Sequence, residues 1–179
     1  KGDPHPFNPN WTLNSYGYDE ALRLGAERIG WSSRAPAGSS PGVRKRGIGV
    51  GTQGIWVSGC MGFPDIYEHT GAIIKLNRDG SADISSGTVD IGSGQIATLC
   101  QIAAAELGVG MDKVRMVYAD TDTVPFDAPT HASRGTYSSG LAVKAAAAQV
   151  RKRVVEIAAG LMEANPDDLD ISNGQVYVK

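Results

Sequence analysis

The chain has 179 residues and a formal net charge of -2 at pH 7, and 41% of its residues are apolar, which is ordinary for a globular domain. This charge and the lack of a basic cluster argue against a nucleic-acid-binding surface, and no apolar run approaches the roughly 20 residues of a membrane span. Cys60 and Cys100 match neither a disulfide framework nor a zinc or iron–sulfur spacing, and they indicate a reducing compartment, which we take to be the cytoplasm.

The first 46 residues are predicted to form an irregular arm, one helix and a linker. Between Tyr18 and Trp31, apolar residues recur at helical spacing, and Gly30 is a suitable end for the helix. Serine, proline and glycine dominate the stretch that follows, as in a surface linker. We therefore place a domain boundary between residues 1–46 and residues 47–179.

The second segment alternates strands and helices. Asp79-Gly80 and Asn173-Gly174 are strong hairpin signals, and Gly108 is a natural end for the helix that closes at Leu107. The predicted strands are 47–58, 71–76, 81–85, 114–118, 169–172 and 175–178, and the predicted helices are 95–107 and 138–164. This order favours an α+β fold, a two-layer domain with helices packed on one face of a mixed β-sheet.

Two loop–helix junctions are the parts of the sequence that suggest a binding site. Gly92-Ser93-Gly94 opens one helix, and residues 130–136 precede the other. A helix start offers unpaired amides and a partial positive charge, and glycine lets an anionic, oxygen-rich ligand approach them. For either loop alone, capping by Ser93 or Ser138 explains the pattern more simply. The two junctions together indicate an anion or cofactor site, although neither the P-loop nor the dinucleotide-binding spacing is present.

The order of the motifs resembles one enzyme family. Gly71 to Ser81, Asp90-Ile91-Gly92-Ser93-Gly94, Gln101 to Val109, Asp120 to Pro125, Thr130 to Thr136 and Gly140 to Val143 are similar, in that order, to the molybdopterin-binding subunits of the xanthine dehydrogenase and aldehyde oxidase family. The similarity runs from about Gly47 to Lys179. No single motif is decisive, but their order and spacing together are specific.

The resemblance implies that both loops contact the pterin and the groups around molybdenum, largely through backbone amides. By position, the implied cofactor-binding residues are Gly92, Ser93, Gly94, Ala132, Ser133, Arg134, Gly135 and Thr136. Ser93 departs from the family pattern, because the middle of the first loop is commonly a glutamine. Serine cannot span the same gap, so either a water bridges it, or Gln95 reaches in, or the contact is lost.

Several other polar and aromatic side chains are expected to have substrate-pocket, hydrogen-bonding or capping roles. Phe63 matches the region that approaches the substrate pocket in the family, where it could stack on an aromatic substrate or simply pack locally. His69 and His131 are expected to be hydrogen-bonding loop residues rather than ligands. Asp90 and Glu106 are expected to be solvated or capping charges.

The resemblance also implies an activity, oxidative hydroxylation of an aromatic heterocycle or an aldehyde, with a small molecule as substrate. Its cofactor would be molybdopterin, in a mononucleotide or dinucleotide form, with 2Fe-2S and FAD on other domains or subunits. The remainder of the molybdenum subunit and the iron–sulfur and FAD subunits would be its partners. Alternatives are a reductive relative such as 4-hydroxybenzoyl-CoA reductase, or a non-catalytic module that keeps the fold without the cofactor.

The family's catalytic glutamate stands in a Gly-x-Gly-Glu segment, and a Gly-Phe-Gly loop also contacts its cofactor. Neither segment occurs in this sequence. We therefore expect a fragment of the molybdenum subunit that is inactive by itself, and we assign it no catalytic residue and no metal ligand.

Overall fold

The computed structural model describes residues 2–5, 8–12, 17–51, 69–128 and 130–179, with the backbone alone at residues 5 and 8–11. The chain divides into two compact units, Lys1–Gly54 and Ile55–Lys179. The predicted boundary between residues 46 and 47 stays a prediction.

The first unit contains a short antiparallel strand pair and one helix. Strands β1 (Pro4–His5) and β2 (Asn8–Thr12) pair with each other, and α1 spans Tyr18–Ile29. Gly30 ends α1 in the left-handed conformation, with φ 68°, and its amide donates to the carbonyls at the helix end. The predicted helix and its glycine cap are therefore confirmed, whereas the arm that was predicted to be irregular contains this strand pair.

The predicted strand over residues 47–58 is wrong for its first five residues. Residues 47–51 belong to no strand, and the side chains of Ile48 and Val50 are exposed. Glycine occupies the three other positions, so there is little side-chain surface to pack and much backbone freedom to lose. Residues 52–58 lie outside the described part of the chain.

A three-stranded mixed sheet forms the first layer of the second unit. β3 (Ala72–Leu76) pairs antiparallel with β4 (Ala82–Ser86), and β4 pairs in parallel with β5 (Val114–Tyr118). The turn between β3 and β4 uses Gly80 at φ 79°, as the Asp-Gly signal predicts. The sheet order is β3-β4-β5.

Two helices cover one face of this sheet. α2 (Gln95–Leu107) connects β4 to β5, and α3 (Gly140–Met162) follows a short π-helical turn at Gly135–Ser139. The core joins β4, β5 and both helices, and its buried members are Ile84, Leu99, Cys100, Ala103, Ala104, Val114 and Val143. These contacts confirm the predicted two-layer α+β fold, and Cys100 is the small buried residue that a core position requires.

A C-terminal hairpin packs against the end of α2. β6 (Leu169–Ser172) and β7 (Gln175–Val178) are joined by Asn173 and Gly174, both in the left-handed region. Gly108 has φ 71°, and its carbonyl accepts a hydrogen bond of 2.8 Å from the amide of Gly174. A methyl group on Gly108 would lie 2.4 Å from the carbonyl oxygen of Ile171. The C-terminal end of α2 is therefore held against this hairpin.

Within the described residues, no helix has the length and apolar content that crossing a membrane requires.

Candidate functional site

The first loop is organised around the carboxylate of Asp90. It accepts hydrogen bonds from the amides of Gly92 at 2.8 Å, Gly94 at 3.2 Å and Ile96 at 3.4 Å. These hydrogen bonds, of which the one from the Gly92 amide has the largest effect, lower the pKa of Asp90 below its ordinary value. Asp90 is thus the capping charge of α2, and the amides that would attract an external anion already have an acidic partner.

The second loop presents a strained turn. The amide of Arg134 donates to the carbonyl of His131 at 3.0 Å, and the two central residues, Ala132 and Ser133, have φ of 47° and 58°. Left-handed backbone is unfavourable for residues with a Cβ, by about 1 to 2 kcal/mol each. Among the described residues, neither the Ala132 amide nor the Ser133 amide finds a backbone acceptor. The turn therefore holds two available donors in a costly conformation.

Arg134 anchors this turn from inside the domain. Its side chain is 1% exposed and forms an ion pair of 3.0 Å with Asp127, whose side chain is 3% exposed. The same guanidinium donates to the carbonyl of Ala128 at 2.9 Å, to the carbonyl of His69 at 3.3 Å and to the hydroxyl of Thr70. Because the planar group is committed to these partners, Arg134 would approach a ligand through its backbone rather than its side chain.

Asp127 is the centre of a buried polar network beneath the loop. It accepts hydrogen bonds of 2.7 Å from Thr70 Oγ1 and from Thr88 Oγ1, in addition to the Arg134 pair. Thr88 Oγ1 also lies 2.8 Å from Ser139 Oγ, at the end of the π-helical turn. This network joins the chain before β3, the chain after β4 and the start of α3, so the second loop rests on several elements at once.

The two loops lie side by side. Gln95, the first residue of α2, is 5% exposed, and a methyl group on Gly135 would stand 2.4 Å from its Oε1. Thr130 in the second loop donates a hydrogen bond of 3.1 Å to the carbonyl of Val89, just before the first loop. The adjacency that a shared ligand site requires is therefore present.

The structure brings most of the predicted site residues into this region. Ser93, Ser133 and Thr136 are exposed, Ala132 is partly buried, and Gly135 is buried against Gln95. The ring of His69 packs against Phe126 with centroids 5.8 Å apart. Phe63 lies outside the described residues, and its role stays a prediction.

Sequence reasoning missed the buried support of the second loop. Thr70 and Thr88 are 57 and 39 residues from Asp127 along the chain. No local pattern marks such pairs, and the one available signal is an arginine inside a small-residue loop with an aspartate seven positions earlier. Across the described ranges, no group of three or more histidine, cysteine, aspartate or glutamate residues is arranged to hold a metal ion.

Comparison with known proteins assigns this arrangement to a family. The family model described as "Molybdopterin cofactor-binding domain" matches residues 24–179. The xanthine dehydrogenase molybdenum-binding subunit of Escherichia coli O157:H7 is 29% identical over an alignment of 184 residues, which covers 99% of this chain and 23% of that protein.

Two solved structures are also similar. Quinoline 2-oxidoreductase from Pseudomonas putida 86 is 32% identical with a TM-score of 0.57, over 62% of this chain and 14% of that one. The Cu,Mo-CO dehydrogenase structure has a TM-score of 0.64 over 96% of this chain and 23% of that one, and at 21% identity it shows the fold alone.

The chain spans about a quarter or less of the length of these relatives. The family model nevertheless covers most of the chain, including both loops, the sheet and both helices. The protein therefore belongs to the molybdopterin cofactor-binding domain family of the xanthine dehydrogenase and carbon monoxide dehydrogenase large subunits.

Proposed function

We propose that this chain forms one wall of the molybdopterin site in a molybdenum-dependent oxidoreductase that hydroxylates an aromatic heterocycle or an aldehyde. The single observation that carries the proposal is the contact of Gln95 with Gly135, which joins the two predicted cofactor loops into one surface. The residues proposed to face the cofactor are Gly92, Ser93, Gly94, Ala132, Ser133, Arg134 (through its backbone), Gly135 and Thr136.

The donors of the site fit an oxygen-rich pterin on the side of the second loop. The amides of Ala132 and Ser133 find no backbone acceptor among the described residues, and the Nε2 atom of Gln95 is buried without a partner. Hydrogen-bond donors held in place by the fold can bind carbonyl, ring-nitrogen or phosphate acceptors with little reorganisation. When bound, the cofactor supplies the redox chemistry, and these residues bind and orient it.

The proposal also includes the other cofactors, the location and the partners of the complete enzyme. We expect 2Fe-2S and FAD groups on other domains or subunits, a cytoplasmic location, and the remainder of the molybdenum subunit as the immediate partner. The similar proteins include a "molybdenum-binding subunit" and a "large chain", which supports an assembly of several subunits. An absorption spectrum of the native complex with flavin and iron–sulfur bands would support this composition, and a spectrum without them would contradict it.

A charge placed on the second loop tests the cofactor assignment. Ser133→Asp adds an anion to an exposed left-handed position, which aspartate tolerates, and it should repel an anionic ligand. We expect the molybdenum content per polypeptide of the native protein, measured by elemental analysis, to fall by about tenfold or more, which corresponds to about 1.4 kcal/mol of binding free energy.

Asn173→Asp provides the matched control. Asn173 is also exposed and left-handed, with φ 51° against 58° for Ser133, but it lies in the C-terminal hairpin. This variant should retain its molybdenum. Equal molybdenum in both variants would contradict the assignment of the second loop, and a wild-type protein without molybdenum would contradict the proposed function as a whole.

A second candidate function has one observation in its favour. The carboxylate of Asp90 already binds the amides of the first loop, as it would in a module that keeps the fold without the cofactor. The same molybdenum measurement on the wild-type protein separates the two candidates. A reductive relative such as 4-hydroxybenzoyl-CoA reductase would instead carry molybdenum and differ in substrate.

A further inference from the structure

The carboxamide of Gln95 is buried at the seam between the two loops with its nitrogen unpaired. The residue is 5% exposed, and Nε2 has no hydrogen-bond partner. It is also the first residue of α2, immediately after Gly94. Few side chains of a folded protein leave a buried N–H without an acceptor, so each such group requires a physical explanation.

Packing alone explains this arrangement poorly. The carboxamide lies beside Gly135, where a methyl group would stand 2.4 Å from Oε1, 2.7 Å from the carboxamide carbon and 3.3 Å from Nε2. An apolar side chain of similar length would fill the same space without burying two N–H bonds. A polar group that is unpaired in the protein and placed beside two ligand-facing loops is explained if the ligand supplies its partner.

We propose that Gln95 Nε2 donates a hydrogen bond to an acceptor atom of the molybdopterin cofactor at the seam of the two loops. This assignment rests on the proposed function. The acceptor is a carbonyl, ring-nitrogen or phosphate atom, because Nε2 can only donate. Gln95 rather than Ser93 is thus the side chain that recognises the cofactor on this side, since Ser93 is exposed and has a short stem.

The proposal predicts opposite effects of one substitution on the two forms of the protein. Gln95→Met keeps the length of the side chain and removes the N–H donors. In cofactor-free protein, made in a host that lacks the cofactor, the thermal transition should stay unchanged or rise, because an unsatisfied buried donor is lost. In loaded protein the transition should fall, and the molybdenum content should drop roughly three- to tenfold, as expected for one lost hydrogen bond.

Two further variants complete the design. Gln95→Glu has the same shape but presents acceptors and a negative charge, so it should lower the molybdenum and pterin content of folded protein more than Gln95→Met does. Gln101→Met makes the same change at an exposed position of α2 outside both loops, and it should leave the content within about twofold of wild type. If Gln95→Met fails to fold, the content of the folded Gln95→Glu protein decides the question.

Three outcomes would overturn this inference. Wild-type cofactor content in Gln95→Met, or in Gln95→Glu, would exclude a direct hydrogen bond. Equal destabilisation of the cofactor-free and loaded forms would make Gln95 a packing residue. A greater loss of cofactor in Ser93→Ala than in Gln95→Met would mean that Ser93, and not Gln95, is the side chain that binds the cofactor. A wild-type protein that carries neither molybdenum nor pterin would instead overturn the proposed function, and the two failures are therefore distinguishable.

Discussion

Arg134 and Asp127 place two opposite charges almost completely out of water. Such a pair contributes little net stability compared with apolar residues, but removal of one partner leaves the other charge buried and unpaired. At Arg134 the cost is compounded, because the guanidinium also binds the carbonyls of Ala128 and His69. The pair therefore maintains the shape of the second loop, including its strained turn at Ala132 and Ser133.

Replacement of this arginine gives the first prediction on stability. Arg134→Met should lower the free energy of unfolding by about 3 to 5 kcal/mol, measured by denaturant titration of the cofactor-free protein. Arg153→Met removes an exposed partner of Glu156 and should cost less than about 1 kcal/mol. Similar costs for the two variants would show that the buried pair does not support the loop.

The contacts of the Arg134 side chain could not be predicted from the sequence. The glycine and serine pattern of residues 130–136 predicted a functional loop, but not that the Arg134 side chain turns inward. Its partners Thr70 and Asp127 lie 64 and 7 residues away along the chain, and only the tertiary fold brings them together. The alternatives for Ser93 could not be separated either, because burial of Gln95 depends on Gly135, 40 positions later.

At the scale of elements, α2 is bounded by glycines that serve different purposes. Gly94 and Gly108 both have φ 71°. Apart from its chain neighbours, no atom lies within 4 Å of a methyl group built on Gly94, whereas the corresponding methyl on Gly108 meets the backbone of Ile171 at 2.4 Å. The two positions therefore separate the conformational cost of alanine from its steric cost.

Alanine at these two positions gives a matched pair of variants. Gly94→Ala should lower the unfolding free energy of the cofactor-free protein by about 1 to 2 kcal/mol, the cost of left-handed backbone. Gly108→Ala should cost at least about 2 kcal/mol more, because the rigid backbone of β6 must move. Denaturant unfolding of both variants measures the difference, and equal values would mean that the hairpin yields freely.

The hydrogen bonds of Asp90 at the start of α2 should make the stability of the protein depend on pH. The amides of its first loop depress the pKa of Asp90, so the native state favours the charged carboxylate. The resulting stabilisation is complete above the unfolded pKa of about 3.9 and is lost as the pH falls through the lower native value. The stability gap between wild type and Asp90→Asn should therefore be constant from about pH 7 to 5 and close below about pH 4.

Thermal unfolding across this pH range measures the gap, and high salt should narrow it, because the interaction of a charge with a helix start is screened. A gap that is unchanged at pH 3 would show that hydrogen bonding by either side chain, and not the charge, caps the helix.

Most of the fold could be predicted from the sequence, because its helices, turns and caps are each marked by residues that are close together in the chain. Helical periodicity, Asp-Gly and Asn-Gly turns and glycine caps placed α2, α3 and the two hairpins of the second unit close to their observed bounds, but they did not predict the β1–β2 pair. The strand predicted over residues 47–58 is wrong at residues 47–51, because alternating glycine imitates a strand pattern without the side chains to pack. The π-helical turn at Gly135–Ser139 has no local signature, since it depends on how α3 meets the second loop.

The dimensions of α2 have a consequence for the whole second unit. Thirteen residues give a rod of about 20 Å, with the seam of the two loops at one end and the C-terminal hairpin at the other. A single inserted residue would advance one end by about 1.5 Å and rotate it by about 100° relative to the other. Gln95 would then point away from Gly135, or Gly108 would leave the hairpin. Substitutions within this helix are therefore compatible with the fold, but insertions and deletions are not. Changes in chain length should occur in the loops that precede and follow the helix.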